Sequence, residues 1–180
     1  MESNNVFELI RKRRTIRRFT DQPVSDDQIH PLLVAAMSAP SIMDRRPWHF
    51  VVVRDASVKK LVSDGLRLHP YVERAPVLIV ALVDTSASPT WRLEMAAAVE
   101  NIHLQAVAMG LGSAWIGSPD MAMEQQVEEQ LREVLSLPIT MKLFAFVAVG
   151  YPAEQRAAHE LDPYFVGTHV HYDSWEGLKL

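Results

Sequence analysis

Two groups of side chains stand out for the chemistry that their types and spacing permit. The first is Arg13-Arg14-Thr15-Ile16-Arg17-Arg18-Phe19. Guanidinium groups bind phosphate oxygens through paired hydrogen bonds, and a hydroxyl beside them adds one more donor. The segment therefore reads as an anion clamp. A second reading also applies, because Arg11 to Arg14 end a predicted helix, where cations contribute about 0.3–1 kcal/mol by complementing the helix dipole. That reading does not reach Arg17 and Arg18, which follow the β-branched Thr15 and Ile16, and the spacing alone leaves both open. The second group is Asp44-Arg45-Arg46-Pro47-Trp48, within APSIMDRRPWHFVVV from Ala39 to Val53. It joins a helix end to a buried strand. As a polar turn it would bury Trp48 in the core and pair Asp44 with an arginine.

Other chemistries find little support. The chain has no cysteine, so it offers neither a thiol nucleophile nor a thiolate metal site. Gly110 and Gly112 follow a helix rather than opening one, which suits a helix C-cap and not a dinucleotide fingerprint. His169 and His171 could share one strand face but lack a third ligand, so no metal is expected. Asp84, Glu94 and His103 have no spacing that suggests a hydrolytic triad.

The 180 residues suit one domain spanning 1–180, and 48% hydrophobic content supports a real core. Net charge is -4, which argues against nucleic acid as a general partner. Arg11, Lys12, Arg13, Arg14, Arg17 and Arg18 nonetheless cluster, and without these six positive charges the rest of the chain carries -10. A basic cluster on an acidic chain suggests a specific anion site. The N-terminus lacks the apolar core of a secretory signal, and no apolar run reaches the ~18 residues of a membrane span. The expectation is a cytoplasmic protein without a membrane partner.

These groups need elements to position them. Asn4 to Arg14 reads as a first helix. Ser25-Asp26-Asp27-Gln28 is a capping box that opens a second helix toward Ala39, and Pro31 inside it should kink it or delay its start. Phe50–Arg54, Val77–Val83, Ser113–Ile116 and Phe144–Val149 read as buried strands. Helices are expected near Ser57–Leu66, over Trp91–Leu111 and over Met121–Leu135. The Trp91 helix is apolar almost all round, the pattern of a helix buried on most sides. The tail, Thr168 to Trp175, alternates like an exposed or edge strand. Interleaved helices and strands imply a sheet covered on both faces.

Taken in order, the pieces resemble the FMN-dependent nitroreductase family over nearly the whole chain. The carrying segments are RRTIRRF, APSIMDRRPWHFVVV, ERAPVLIVALVD, AAAVENIHLQAVAMGLGSAWIG, LREVLSLP with FAFVAVGYP, and HVHYDSW. The resemblance implies an α+β, three-layer α/β/α fold with a central mixed sheet and an intertwined homodimer holding two FMN sites built from both subunits. By that analogy Arg13, Arg14, Thr15 and Arg17 meet the flavin phosphate and the polar edge of its ring. Pro40, Ser41, Ile42, Asp44 and Arg46 line the ring, backbone at Ile116 and Gly117 faces the hydride-accepting nitrogen, and Arg156 helps hold the phosphate. The implied activity is hydride transfer from NAD(P)H to a nitroaromatic, quinone or similar electron-poor acceptor, in two half-reactions. Reductive dehalogenation, fragmentation of FMN, and a non-enzymatic flavin- or anion-binding role remain alternatives. Asp44 and Arg46 replace the family's usual Asn and Gln, and the chain lacks the insertions that shape the substrate pocket of larger members.

Overall fold

A computed structural model describes residues 5–66, 70–117, 125–160 and 165–175. In chain order the elements are α1 (Asn5–Lys12), α2 (Asp26–Met37), β1 (Trp48–Val53), α3 (Ala56–Gly65), α4 (Tyr71–Arg74), β2 (Val77–Asp84), α5 (Trp91–Ala108), β3 (Gly112–Ile116), α6 (Gln125–Val134) and β4 (Met141–Gly150). The strands form one sheet in the order β1-β2-β4-β3. Alternate residues of β2 serve opposite faces. Val77, Ile79, Ala81 and Val83 pack with Leu32, Met95 and Ile102 of α2 and α5. Leu78, Val80 and Leu82 pack with Val58, Val62, Val72 and Leu131 of α3, α4 and α6. The result is the expected three-layer α/β/α arrangement.

The sheet departs from the expectation of a mixed one. Among the described residues all three strand pairings are antiparallel, and the parallel contribution is a single bridge, Thr15 to Ser113. The segment around Thr15, the parallel neighbour of β3, makes that one bridge and forms no strand. A register shift between Ala81 and Leu82 adds one residue to β4 opposite β2. Phe144 and Ala145 consequently both enter the α2–α5 core, as a bulge requires.

Two other expectations need correction. Pro31 neither delays nor breaks α2, which runs unbroken from Asp26 to Met37. It sits early, so the carbonyl left without an intrahelical partner is that of exposed Asp27, where water can serve it. The tail forms a short 3-10 turn at Gly167–His169, then bends, rather than a strand. Its Phe165, Tyr172 and Trp175 are exposed, and no ladder within the chain receives it. The expected start of the sixth helix at Met121 lies outside the described residues.

α5 is held at both ends. Only Arg92, Leu93, Glu100 and Ala108 on it are exposed. At its C-terminus Gly110 takes φ 71°, the Leu111 N–H donates to Ala106 O at 2.8 Å, and the Gly110 N–H to Val107 O at 3.1 Å. That pattern is a Schellman cap, and it turns the chain directly into β3.

Gly112 sits where the arginine-rich segment crosses β3. A Cβ there would lie 2.8 Å from Ile16 Cβ. Gly112→Ala should therefore displace residues 13–17 and destabilise the fold by about 1–3 kcal/mol. At roughly 2–4 °C per kcal/mol for a chain of this size, calorimetry should show a melting temperature lower by several degrees.

Candidate functional site

Residues 13–19 run along β3 and then β4. The Ile16 N–H donates to Ser113 O at 2.9 Å, the Thr20 N–H donates to Tyr151 O at 2.9 Å, and Phe19 bridges Pro152. Ile16 turns inward and is buried, while Arg17 and Arg18 face solvent. A cleft of about 300 Å³ opens beside the segment, lined by Arg13, Arg14, Thr15, Arg17, Arg156 and His159. No carboxylate is among its lining groups. The structure thus gathers five of the residues singled out in the sequence, although Arg156 is remote from the others along the chain.

The two readings of the basic segment divide between residues. Arg11 pairs with Glu8 at 2.9 Å and donates Nε–H to His159 O at 3.1 Å. The Arg14 guanidinium donates to Ala157 O. Both fasten the residues after β4 to the end of α1. Arg13 has a longer pairing, Nε to Glu100 at 3.5 Å, and Arg17 lies 5.7 Å from the Tyr71 ring centre in a cation–π contact. Partial burial raises the Glu100 carboxyl above its ordinary range, and the nearby Arg13 charge only partly offsets this.

Glu154 organises the rim, although nothing in its sequence context marks it. Its Oε1 accepts the backbone N–H of Arg17 at 2.7 Å and of Arg18 at 3.2 Å, while Oε2 accepts from Arg156 at 3.0 Å. The Arg17 N–H is the main cause holding this carboxylate below its usual range. Arg17 also borders a second cleft of about 490 Å³, whose wall includes Arg18, Tyr71 and Arg74.

Pro40, Ser41, Ile42, Asp44 and Arg46 lie in a separate loop between α2 and β1. Met43, Asp44 and Arg46 take φ of 52°, 56° and 48°, left-handed conformations that cost non-glycine residues about 1–2 kcal/mol each. Asp44 and Arg46 form a two-pronged pair at 2.6 and 2.9 Å, and the Arg46 N–H donates to Ser41 Oγ at 3.2 Å. Two ties fix the loop to the body near the N-terminus of α5. The Ile42 N–H donates to Glu94 Oε1 at 2.9 Å, and Arg45 donates to Ala87 O at 3.2 Å. Trp48 is buried, as expected, and begins β1. None of these loop residues lines the arginine cleft.

Glu94, weighed in the sequence only as a triad member, is the side chain that ties this loop to α5. A carboxylate one turn into an apolar helix, behind Ser88 and Thr90, was its available signal. Burial pushes its pKa up, but the Ile42 N–H, the Thr90 and Ser88 hydroxyls and the Arg45 charge together bring it below the ordinary value.

Ile116 and Gly117 end β3. Ile116 is buried, Gly117 takes φ 77°, and Trp115 Nε1–H donates to Gly117 O at 2.8 Å. Behind the strand, buried His103 shares a 2.6 Å hydrogen bond with Ser113 Oγ and stacks on Trp115. No group of acidic or histidine side chains among the described residues could hold a metal ion. His171 stacks on Trp175 instead.

The layers, the antiparallel sheet and the buried central helix define a three-layer α+β fold. The sequence profile of the nitroreductase family matches residues 10–69 and 62–151. A protein of Archaeoglobus fulgidus, provisionally named a NADH dehydrogenase/NAD(P)H nitroreductase, is 34% identical over 94% of this chain and 98% of its own. The FMN-dependent nitroreductase of Clostridium difficile R20291 superposes with a TM-score of 0.85 at 28% identity, covering 93% of this chain and 98% of that one. A provisionally named nitroreductase of Desulfovibrio desulfuricans, solved in complex with FMN, gives 0.76 at 30% identity, covering 91% and 96%. The chain belongs to the nitroreductase family.

Burial, and secondarily the charge of Arg13, lowers the His103 pKa to about 4, against an ordinary value of about 6.5. The unfolded chain therefore takes up a proton in this interval that the folded chain refuses. His103 contributes stability that is fully present above about pH 6.5 and is lost as pH falls through about 4. The loss approaches ~3 kcal/mol at 1.36 kcal/mol per pH unit. Urea denaturation of wild type and His103→Gln from pH 7 to 4 should show the flatter profile in the variant.

Proposed function

We propose that this protein is an FMN-dependent NAD(P)H oxidoreductase that passes hydride to a small electron-poor acceptor such as a nitroaromatic or a quinone. The observation that carries the reading is the arginine cleft. Four guanidinium groups and a hydroxyl around one small opening offer the positive charge and the donors that a phosphate monoester dianion needs. Arg13, Arg17, Arg156 and Thr15 would hold the phosphate and the polar edge of the ring, with Arg14 bracing the rim from its bond to Ala157. Backbone at Ile116 and Gly117 is the stretch we assign to the reacting edge. Bound FMN supplies hydride transfer, taken from the nicotinamide donor and given to the acceptor in the same pocket.

The loop from Pro40 to Arg46 reaches the ring from the other subunit of a homodimer, which accounts for its separation from the arginine cleft within one chain. Val34, Met37, Ile42, Met43 and Leu93, exposed on and beside that loop, supply apolar surface for such an interface.

Flavin-stripped protein titrated with FMN tests the cleft. Arg13→Ala and Arg17→Ala should each weaken binding roughly ten- to hundredfold, the effect of losing a hydrogen bond between charged groups. Wild-type affinity in both variants would refute the clamp. With NAD(P)H and a quinone, sustained turnover supports the reductase reading, whereas loss of flavin in air would favour its fragmentation.

Asp44 and Arg46 are a neutral pair, so together they neither favour nor oppose the negative charge that reduction adds to the ring. Asp44→Asn leaves Arg46 uncompensated and should raise the FMN midpoint potential by roughly tens of millivolts with FMN still bound. An unchanged potential in spectroelectrochemical titration would mean that the pair only shapes the turn.

A further inference from the structure

Glu94 is 5% exposed, and three donors converge on its Oε1: the Ile42 N–H at 2.9 Å and the hydroxyls of Ser88 and Thr90, each at 2.8 Å. Its Oε2 is buried without a hydrogen-bond partner among the described residues. A half-satisfied carboxylate inside an apolar helix costs stability, so packing alone favours an apolar side chain there. The carboxylate instead reaches out of the helix to the first backbone N–H of the Ile42–Asp44 turn.

That turn and the residues after it concentrate left-handed backbone, at Met43, Asp44 and Arg46. Such conformations persist only where their surroundings over-determine them. The Ser41–Arg46 and Asp44–Arg46 bonds shape the loop internally but do not attach it to anything else. Attachment falls to Glu94 and to the exposed Arg45–Ala87 bond, and of these the Glu94 bond is the more buried.

We propose that Glu94 is a positioning residue, which holds the Ser41–Arg46 loop in the shape that receives the flavin ring. This rests on the reading that the loop faces FMN. Ser88 and Thr90 keep the carboxylate pointed at Ile42, so the loop is set before any ligand arrives. A pre-set loop binds without first having to order itself.

Two measurements on the full-length, flavin-stripped chain test this separately. The first is limited trypsin digestion, following by mass spectrometry the fragment that ends at Arg45. Cleavage there requires the loop to open, and it tracks the opening equilibrium when closing is fast. The second is titration with FMN. We expect Glu94→Ala to release the fragment roughly ten- to hundredfold faster, the factor for losing a hydrogen bond to a charged group. Its FMN affinity should fall roughly tenfold or more, because the competent loop is less populated. Glu94→Gln keeps one acceptor oxygen without the charge and should fall between wild type and Glu94→Ala in both measurements.

Cleavage of folded Glu94→Ala at the wild-type rate would overturn the anchoring role. If Glu94→Ala does not fold, the isosteric Glu94→Gln decides, and wild-type cleavage there is equally fatal. Faster cleavage with unchanged FMN affinity would show that the loop is anchored but does not serve the flavin, which also overturns the proposal. Wild type that binds no FMN would instead remove the flavin reading itself.

Discussion

A polar side chain on a buried helix must find a partner or destabilise the fold, and four of those on α5 reach other segments. Each reaches a different segment. Glu94 takes the Ile42 N–H, Glu100 faces Arg13, the Asn101 amide donates to Ala35 O at 3.0 Å, and His103 meets Ser113. The loop before β1, the arginine segment, α2 and β3 are therefore referenced to one rigid rod. The apolar residues between these four, such as Met95, Ala98, Val99 and Ile102, fix the rod against the sheet. Precision at the site thus derives from the core, and the surface segments inherit it.

The arginine cleft shows how that inheritance works. Ile16 packs directly over Gly112, so the segment crosses β3 at backbone distance. Ile16 faces inward and its neighbours are turned outward, which spreads Arg13, Arg17 and Thr15 along one rim. Glu154 closes the arrangement from the other side by accepting two backbone N–H groups of the same segment and pairing with Arg156. A carboxylate in this position adds order to a crowd of positive charge without facing into the cleft. Four like charges around a small opening repel one another, and an anion relieves that repulsion.

Much of the fold was legible because burial writes itself into sequence. Valine-rich runs gave the strands within a few residues, and Trp91 to Leu111 gave the central helix with its glycine stop. What failed had physical causes. Strand direction depends on which neighbour a strand meets, and neither β3 nor β4 carries a mark of it. Pro31 was expected to kink α2 or delay its start because the rule concerns helix interiors, yet near an exposed first turn the lost bond goes to water. The tail alternates, but alternation makes a strand only where a ladder exists to join. In the site, Arg13, Arg14 and Arg17 were legible as a basic cluster on an acidic chain, whereas Arg156 entered only through the family resemblance. The shape of the Ser41–Arg46 loop was not, because left-handed backbone is normally announced by glycine or asparagine, and here Met43 and Arg46 adopt it.

That last mismatch ties the loop to the rest of the structure. Residues with ordinary side chains hold a left-handed turn only against a continuous restoring tendency toward extended or right-handed backbone. The restraint must be local, directional and protected from water. The Asp44–Arg46 pair is local, but its side chains are 72% and 62% exposed, so solvent screens it. The bond from Ile42 to Glu94 is protected, because the carboxylate is buried and its charge is retained by three donors. The same carboxylate, held charged in the first turn of α5, therefore also holds the left-handed backbone of the loop. An apolar residue in its place would leave the Ile42 N–H and the Ser88 and Thr90 hydroxyls without their acceptor and the loop tied only by an exposed bond.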